Sequence, residues 1–218
     1  GKLFGTLLPY FITFMLFVGA MSLGVDAIAG EKERGTMASM LLTPLKRRDI
    51  VLGKLISLSI LSSLSAAVYA VTMIIAMPIM LNGLSGEELG GISLSFSIVQ
   101  VIELFAIMIS LVYLYVAIVS LAAVLAKTAK EASSYVTPIY IIVLAAGMVT
   151  MFTGNSEKVL GMYAIPVYGS AISIQSLLVG ELTLAQFGLT IAGTVLIAGI
   201  LTGLITRAFN SEKIMFNA

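Results

Sequence analysis

The chain has 218 residues, of which 59% are hydrophobic and only 11% are charged, and its mean hydropathy is +1.10. These values lie far outside the range of soluble globular domains and indicate an integral membrane protein. Cysteine and histidine are both absent, which excludes disulfides, thiol catalysis and the commonest general base and metal ligand. The net charge of +1 is not diagnostic, because in a membrane protein the side on which each charge lies matters more than the sum.

Five runs of the sequence are apolar and long enough to cross about 30 Å of hydrocarbon at about 1.5 Å per residue. They predict transmembrane helices at residues 3–29, 50–81, 98–126, 135–153 and 184–206. The first run lacks the charged n-region and the small-residue cleavage site of a signal peptide. The expected fold class is therefore all-α: a polytopic helical membrane bundle that forms a single transmembrane domain.

A sixth apolar run, within residues 157–180, is interrupted by Pro166 and Gly169. With five spans, ten of the twelve Lys and Arg residues fall on one side of the membrane, which the positive-inside rule assigns to the cytoplasm. A sixth span would disrupt this asymmetry, so we expect a re-entrant or interfacial helical hairpin on the outer side. The chain's N-terminus is then outside and its C-terminus cytoplasmic, which predicts an earlier span upstream.

The first predicted cytoplasmic loop, residues 30–49, is the most densely charged part of the chain. We expect Gly30 to end the first helix, because glycine often follows the last helical turn. Four consecutive charged residues of mixed sign come next, and they could bind lipid headgroups or a partner protein. They are Glu31, Lys32, Glu33 and Arg34.

A short amphipathic helix is predicted after Gly35 and Thr36. Its apolar face has the i, i+3, i+4 spacing of one helical face and consists of Met37, Met40 and Leu41. Leu42 extends this segment, and Pro44 ends it because proline cannot continue a helix. The second span follows a basic cluster at the membrane interface, with Asp49 expected as its N-terminal cap; the cluster is Lys46, Arg47 and Arg48.

Periodicity alone leaves two interpretations of this loop equally open. Its basic and apolar residues could serve only to fix topology at the anionic inner leaflet, or the loop could be a handle that a soluble protein moves. The sequence GEKERGTMASMLLTPLKRRDIVLGK resembles the first cytoplasmic loop of type 2 ABC exporter permeases, especially their NatB-like sodium-efflux branch. In that family the loop contains the coupling helix that docks into a groove on a cytoplasmic ATPase.

The resemblance extends over nearly the whole chain and implies the permease subunit of an ATP-driven exporter in the cell membrane. Its partners would be a cytoplasmic ABC ATPase, a second permease copy (identical or different) and the lipid bilayer, with no nucleic acid. Family members typically have six spans with a hairpin before the last, so the five spans here would be the second to sixth, and the family's first span is missing. Sodium is the implied substrate, with a peptide, an antibiotic or a lipid-linked molecule as alternatives.

The chain itself is not expected to be an enzyme. It contains no Gly-x-x-x-x-Gly-Lys-Ser/Thr phosphate loop, so ATP and magnesium would bind to the partner ATPase. We predict no catalytic, cofactor-binding or metal residues in this chain.

Glu103 is the one carboxylate well inside an apolar run. A charge at the centre of a membrane helix costs roughly 2.5 to 3.5 kcal/mol, so a functional role is the default hypothesis. Its place about a turn and a half from the outer end also fits an interfacial carboxylate that points outward. Ser110, seven residues later on the same face, could add a hydroxyl to a substrate path.

Two other classes of function remain open from the residues. An ion-coupled secondary transporter predicts internal inverted repeats and several facing intramembrane polar groups, whereas the sequence offers no repeat and one candidate carboxylate. A membrane assembly protein without transport activity requires no particular motif. An intramembrane enzyme is disfavoured by the absence of histidine.

Overall fold

The computed structural model describes residues 2–85, 97–152 and 159–210. All regular structure in these ranges is helical. The α-helices are α1 (Lys2–Val25), α2 (Glu31–Glu33), α3 (Thr36–Leu41), α4 (Arg47–Ser85), α5 (Ile98–Leu125), α6 (Ala129–Phe152), α7 (Tyr168–Val179) and α8 (Leu184–Asn210). A π-helical turn, Asp26–Gly30, joins α1 to α2, and a 3₁₀ turn, Leu160–Ala164, precedes α7.

Five segments of the described chain are long and apolar enough to cross a membrane, and they confirm the predicted all-α fold class. The segments are Leu7–Glu33, Arg47–Tyr69, Ile98–Leu125, Ala129–Thr150 and Leu184–Phe209. Helices α4 and α6 begin earlier than the apolar runs at 50 and 135. The reason is that hydropathy marks the membrane boundary, while a polar first turn continues the helix beyond it.

Helix α5 is the centre of the bundle and contacts α1, α4, α6, α7 and α8. A helix that is apolar on every side is typically buried on every side, and the middle of α5 follows this rule. Six of the seven residues from 111 to 117 are almost fully buried, and they are Leu111, Val112, Leu114, Tyr115, Val116 and Ala117. The Tyr115 ring packs edge-to-face against Phe17 of α1, with ring centroids 5.1 Å apart.

The helix starts follow local capping patterns. The backbone N–H of Ser97 donates to Gln100 Oε1 at 2.9 Å at the start of α5. At the start of α8, Thr183 N donates to Gln186 Oε1 at 2.9 Å and Gln186 N donates to Thr183 Oγ1 at 3.4 Å. Both are Ser/Thr-x-x-Gln capping boxes, which satisfy main-chain donors that the first helical turn leaves free.

The predicted hairpin region consists of the 3₁₀ turn and α7. They are joined at Val167, which has φ 68° and ψ −62°, and Tyr168 N donates to Pro166 O at 2.8 Å. This γ-turn is a strained conformation for a β-branched residue. Gly180, with φ 79°, ends α7 in the left-handed region that glycine favours.

Helix α7 is buried against α8 through hydroxyl pairs. Ser173 Oγ lies 2.6 Å from Thr190 Oγ1, and Ser170 Oγ lies 3.5 Å from Thr194 Oγ1. All four of these residues are buried. Hydrogen bonds of this kind hold polar residues between membrane helices, so the short α7 is attached to the last spanning helix.

Two of the expected helix ends are wrong. The chain stays helical through Gly30 to Glu33, because the π turn leads directly into α2, and it turns at Gly35, where φ is 76°. Gly30 is instead close-packed: a Cβ there would lie 2.7 Å from Asp26 Oδ1. Asp49 is not the N-cap of α4, which begins at Arg47; its carboxylate lies in the first turn, where the helix dipole still favours it.

Candidate functional site

Three segments that are distant in sequence meet at one end of the bundle. They are residues 26–54, the junction between α5 and α6 (residues 125–131) and the last turn of α8, and we call this region the charged end. Arg47 NH1 at the start of α4 donates to the main-chain carbonyl of Phe209 in α8 at 3.2 Å. The region contains the basic residues of both loops, as the alternation of five spans predicts.

Lys54 of α4 makes two contacts with the helical segment that follows α1. Its Nζ donates to Ala27 O at 3.1 Å inside the π turn, and it forms an ion pair with the Glu31 carboxylate. The two side chains are only 13% and 27% exposed, so water and salt screen this pair less than a surface pair. Helices α1 and α4, which enter and leave the loop, are thereby joined at its base.

Lys32 reaches from α2 to the end of α5. Its Nζ donates to Val124 O at 3.2 Å and to Ala126 O at 3.0 Å. The last carbonyls of a helix lack intrahelical donors, and they form the negative end of the helix dipole. The ammonium of Lys32 therefore supplies both a hydrogen-bond donor and a complementary charge.

Glu33 reaches the start of α6. Its Oε2 accepts a hydrogen bond from Ala129 N at 3.0 Å, and Ala129 is the first residue of that helix. A second carboxylate lies nearby, because Glu131 Oε2 accepts from Lys127 N at 2.8 Å. Both acids lie at the positive end of the α6 dipole, where negative charge is favourable.

Arg34 makes a weaker contact on the surface. Its NH1 lies 3.4 Å from Asp26 Oδ1, and the two side chains are 58% and 71% exposed. Exposed ion pairs contribute about 0 to 1 kcal/mol, so this pair adds little to stability. The chain then turns at Gly35, and Thr36 Oγ1 donates to Glu31 O at 3.1 Å.

Beyond this turn, α3 leads into a segment that we call the tip, residues 42–48, which is exposed except at the half-buried Arg47. Leu42 is 87% exposed and Leu45 is 61% exposed, and Pro44 and Arg48 are exposed as well. The tip therefore presents apolar side chains next to basic ones.

The predicted apolar face of α3 is only partly described. Met40 is half-buried, while the side chains of Met37 and Leu41 lie outside the described part of the structure. The amphipathic face of Met37, Met40 and Leu41 therefore stays a prediction, although the helix that carries it is present at Thr36–Leu41.

Glu103 and Ser110 lie on α5, away from the charged end. Glu103 is half-buried in the second turn, between the exposed Ile102 and the buried Leu104. Ser110 is buried and its hydroxyl donates to Ile107 O at 2.8 Å. The two residues are about 10 Å apart along the helix axis, and a substrate path through them remains a prediction.

The described ranges contain no group of three or more Asp or Glu side chains that could hold a metal ion.

The partners of the loop charges are mostly main-chain atoms near the ends of α5, α6 and α8, and they were not predicted from the sequence. One local signal was available. Residues 128–131 read Thr-x-x-Glu, a capping-box pattern that marks the start of a helix. In the structure Glu131 N donates to Thr128 Oγ1 at 3.2 Å, so this pattern would have located the junction to which the loop binds.

These features define a multi-pass α-helical membrane protein with one charged loop bound to the ends of its spanning helices. Residues 5–190 match the family model described as ABC-2 family transporter protein, and the chain belongs to this family. This match confirms the family predicted from the loop motif.

A curated relative is the ABC transporter permease protein NatB of Bacillus subtilis (strain 168), to which the chain is 24% identical over 207 residues. The alignment covers 93% of this chain and 51% of the relative. The chain therefore spans about half the length of this relative.

Proposed function

We propose that this chain is the permease subunit of an ATP-driven exporter and that its charged end is the cytoplasmic site at which a separate ATPase couples to it. One observation carries the proposal: the loop after α1 is bound to further spanning helices while most of its tip is exposed. Lys54 of α4 holds Glu31, Lys32 binds the end of α5, and Glu33 binds the start of α6. A protein that displaces the tip therefore acts on α1, α4, α5 and α6, and through Arg47 on α8 as well.

The cytoplasmic assignment of the charged end is supported by its composition. Ten of the twelve Lys and Arg residues lie in the segments that five spans assign to that side, and cytoplasmic loops are enriched in these residues. An ATPase that binds ATP and magnesium would lie in the same compartment.

The proposed mechanism is a change in helix tilt. Closure of two ATPases on ATP pushes the tips of two permease copies, and because each tip is attached at the base of its bundle, the spans move as rigid bodies. An outward path between the two permeases opens as a result. The chain supplies the path and the lever, while hydrolysis takes place in the partner.

A monovalent cation, sodium in the first instance, is the proposed substrate. It is supported by the half-buried carboxylate of Glu103 within a spanning helix, since an intramembrane carboxylate commonly marks a cation pathway. A peptide, an antibiotic or a lipid-linked molecule would be recognised mainly through apolar surface and would depend less on this residue.

The docking part of the proposal is tested by co-purification of the permease with its ATPase. Replacing Leu42 and Leu45 by Glu places charge on the exposed apolar residues of the tip, and we expect the ATPase to be lost from the purified complex. The matched control is Leu184→Glu, because Leu184 is 83% exposed and lies at the opposite end of the bundle. Retention of the ATPase by the tip variant, or its loss from the control, would contradict docking at the tip.

A further inference from the structure

We propose that Lys32 and Glu33 form a clasp that transmits movement of the tip to the junction of α5 and α6. This inference rests on the proposed function and names the residues through which the lever reaches the centre of the bundle. The clasp is defined by three hydrogen bonds: Lys32 Nζ to Val124 O and Ala126 O, and Ala129 N to Glu33 Oε2.

The order of charges in the clasp matches the polarity of the two helices it binds. Helix α5 ends at the junction and presents its negative pole, to which Lys32 binds. Helix α6 starts at the junction and presents its positive pole, to which Glu33 binds. If the two charges were exchanged, each would face a helix end of its own sign, so the sequence Lys-Glu cannot be reversed without breaking both contacts.

The clasp lies where movement of the tip can be passed to the centre of the helical bundle. The junction between α5 and α6 has only three residues outside the helices, 126–128, so the two helix ends cannot move far apart. Helix α5 also contacts α1, α4, α6, α7 and α8. A displacement delivered at its end therefore reaches every spanning helix of the described bundle.

Lys32 and Glu33 would be positioning residues, which act through the helix ends that they hold. Their removal should leave the tip intact, because Leu42 and Leu45 belong to a separate, exposed segment. We expect the Lys32→Met/Glu33→Ala variant to bind the ATPase normally and to hydrolyse ATP, while the amount of substrate transported per ATP falls about tenfold.

The experiment uses the permease in its complex with the ATPase in proteoliposomes. Because these 218 residues contain no cysteine, spin labels can be attached at Ser39→Cys on α3 and Ser134→Cys on α6, both exposed positions. With the clasp intact, the distance between the labels should stay constant when ATP is added, since α3 and α6 move together. In the Lys32→Met/Glu33→Ala variant the distance should change.

Four further variants separate the clasp from a general effect on folding. Lys32→Arg keeps the donors and Glu33→Gln keeps an acceptor, so each should retain most of the coupling. Arg34→Ala is the matched control, because it removes the neighbouring exposed ion pair with Asp26, and it should couple normally. The double reversal Lys32→Glu/Glu33→Lys should uncouple the transporter even though it preserves the net charge.

Normal transport per ATP in the Lys32→Met/Glu33→Ala variant or in the double reversal would overturn the clasp. Loss of ATPase binding in the Lys32→Met/Glu33→Ala variant would also overturn it, since the residues would then be docking contacts. Failure of the proposed function looks different, because in that case the unaltered permease would not bind or stimulate an ATPase.

Discussion

The ammonium of Lys54, on α4, donates a hydrogen bond to the carbonyl oxygen of Ala27, 3.1 Å away in the π turn at the end of α1. The same ammonium pairs with Glu31 one turn further along the chain. One basic side chain thus connects the helix that enters the loop with the helix that leaves it. A π turn is rare and frequently lies at a functional site, and here it is held by a residue from a neighbouring helix.

This arrangement predicts the effect of removing Glu31. In Glu31→Ala, the mostly buried Lys54 keeps its contact with Ala27 but loses its counter-charge, and we expect the free energy of unfolding to fall by about 1 to 2 kcal/mol. Thermal unfolding of the purified permease in detergent measures this change. Arg34→Ala is the control, with an expected effect near zero because its ion pair is exposed.

The exchange Glu31→Lys/Lys54→Glu tests whether the pair acts through its two charges. It should recover part of the stability lost in Glu31→Ala, because the opposite charges still face each other. No recovery in this double variant would show that the hydrogen bond from Lys54 to Ala27 is the dominant contact.

Two glycines of α8 predict opposite results for the same substitution. In Gly193→Ala the new Cβ would lie 2.4 Å from Ala164 O, whereas at Gly199 nothing lies within 4 Å of the added atom. We expect Gly193→Ala to lower the free energy of unfolding by about 1 to 3 kcal/mol through overpacking against the 3₁₀ turn. Gly199→Ala should be neutral or slightly stabilising, since alanine favours the helix. Equal thermal unfolding of both variants would contradict this packing.

Glu103→Gln tests the substrate proposal. If the carboxylate binds a cation, loss of its charge should raise the half-saturating sodium concentration for transport about tenfold, which corresponds to one charge-assisted contact of roughly 1.4 kcal/mol. Sodium-dependent uptake into inverted vesicles measures this value. Glu181→Gln is the matched control, because Glu181 is an exposed carboxylate between α7 and α8. An unchanged sodium dependence in Glu103→Gln would remove this residue from the path.

The five spans could be predicted from the sequence because length and apolarity are both properties of the local chain. The meeting of the two basic loops at one end also follows from the sequence, since successive spans alternate in direction. The side of α7 that faces α8 was predictable as well: Ser170 and Ser173 are three residues apart and therefore lie on one helical face.

The contacts of the loop charges could not be predicted in the same way. Lys32 and Glu33 bind main-chain atoms of Val124, Ala126 and Ala129, and main-chain groups are the same whatever the side chain. The residue types at positions 124, 126 and 129 therefore do not indicate that Lys32 and Glu33 bind there. The end of α1 was mispredicted for a related reason, because glycine's low helix propensity is overridden at Gly30 by tertiary contacts of the π turn.

The central claim, that the charged end faces the cytoplasm and receives the ATPase, is tested most directly by labelling single cysteines. The 218 residues contain none, so Arg48→Cys introduces one thiol at the exposed tip and Glu181→Cys one at the opposite end. We predict that a membrane-impermeant maleimide labels Glu181→Cys in intact cells, and labels Arg48→Cys only after permeabilisation and less when the ATPase is bound. Labelling of Arg48→Cys in intact cells would contradict the account.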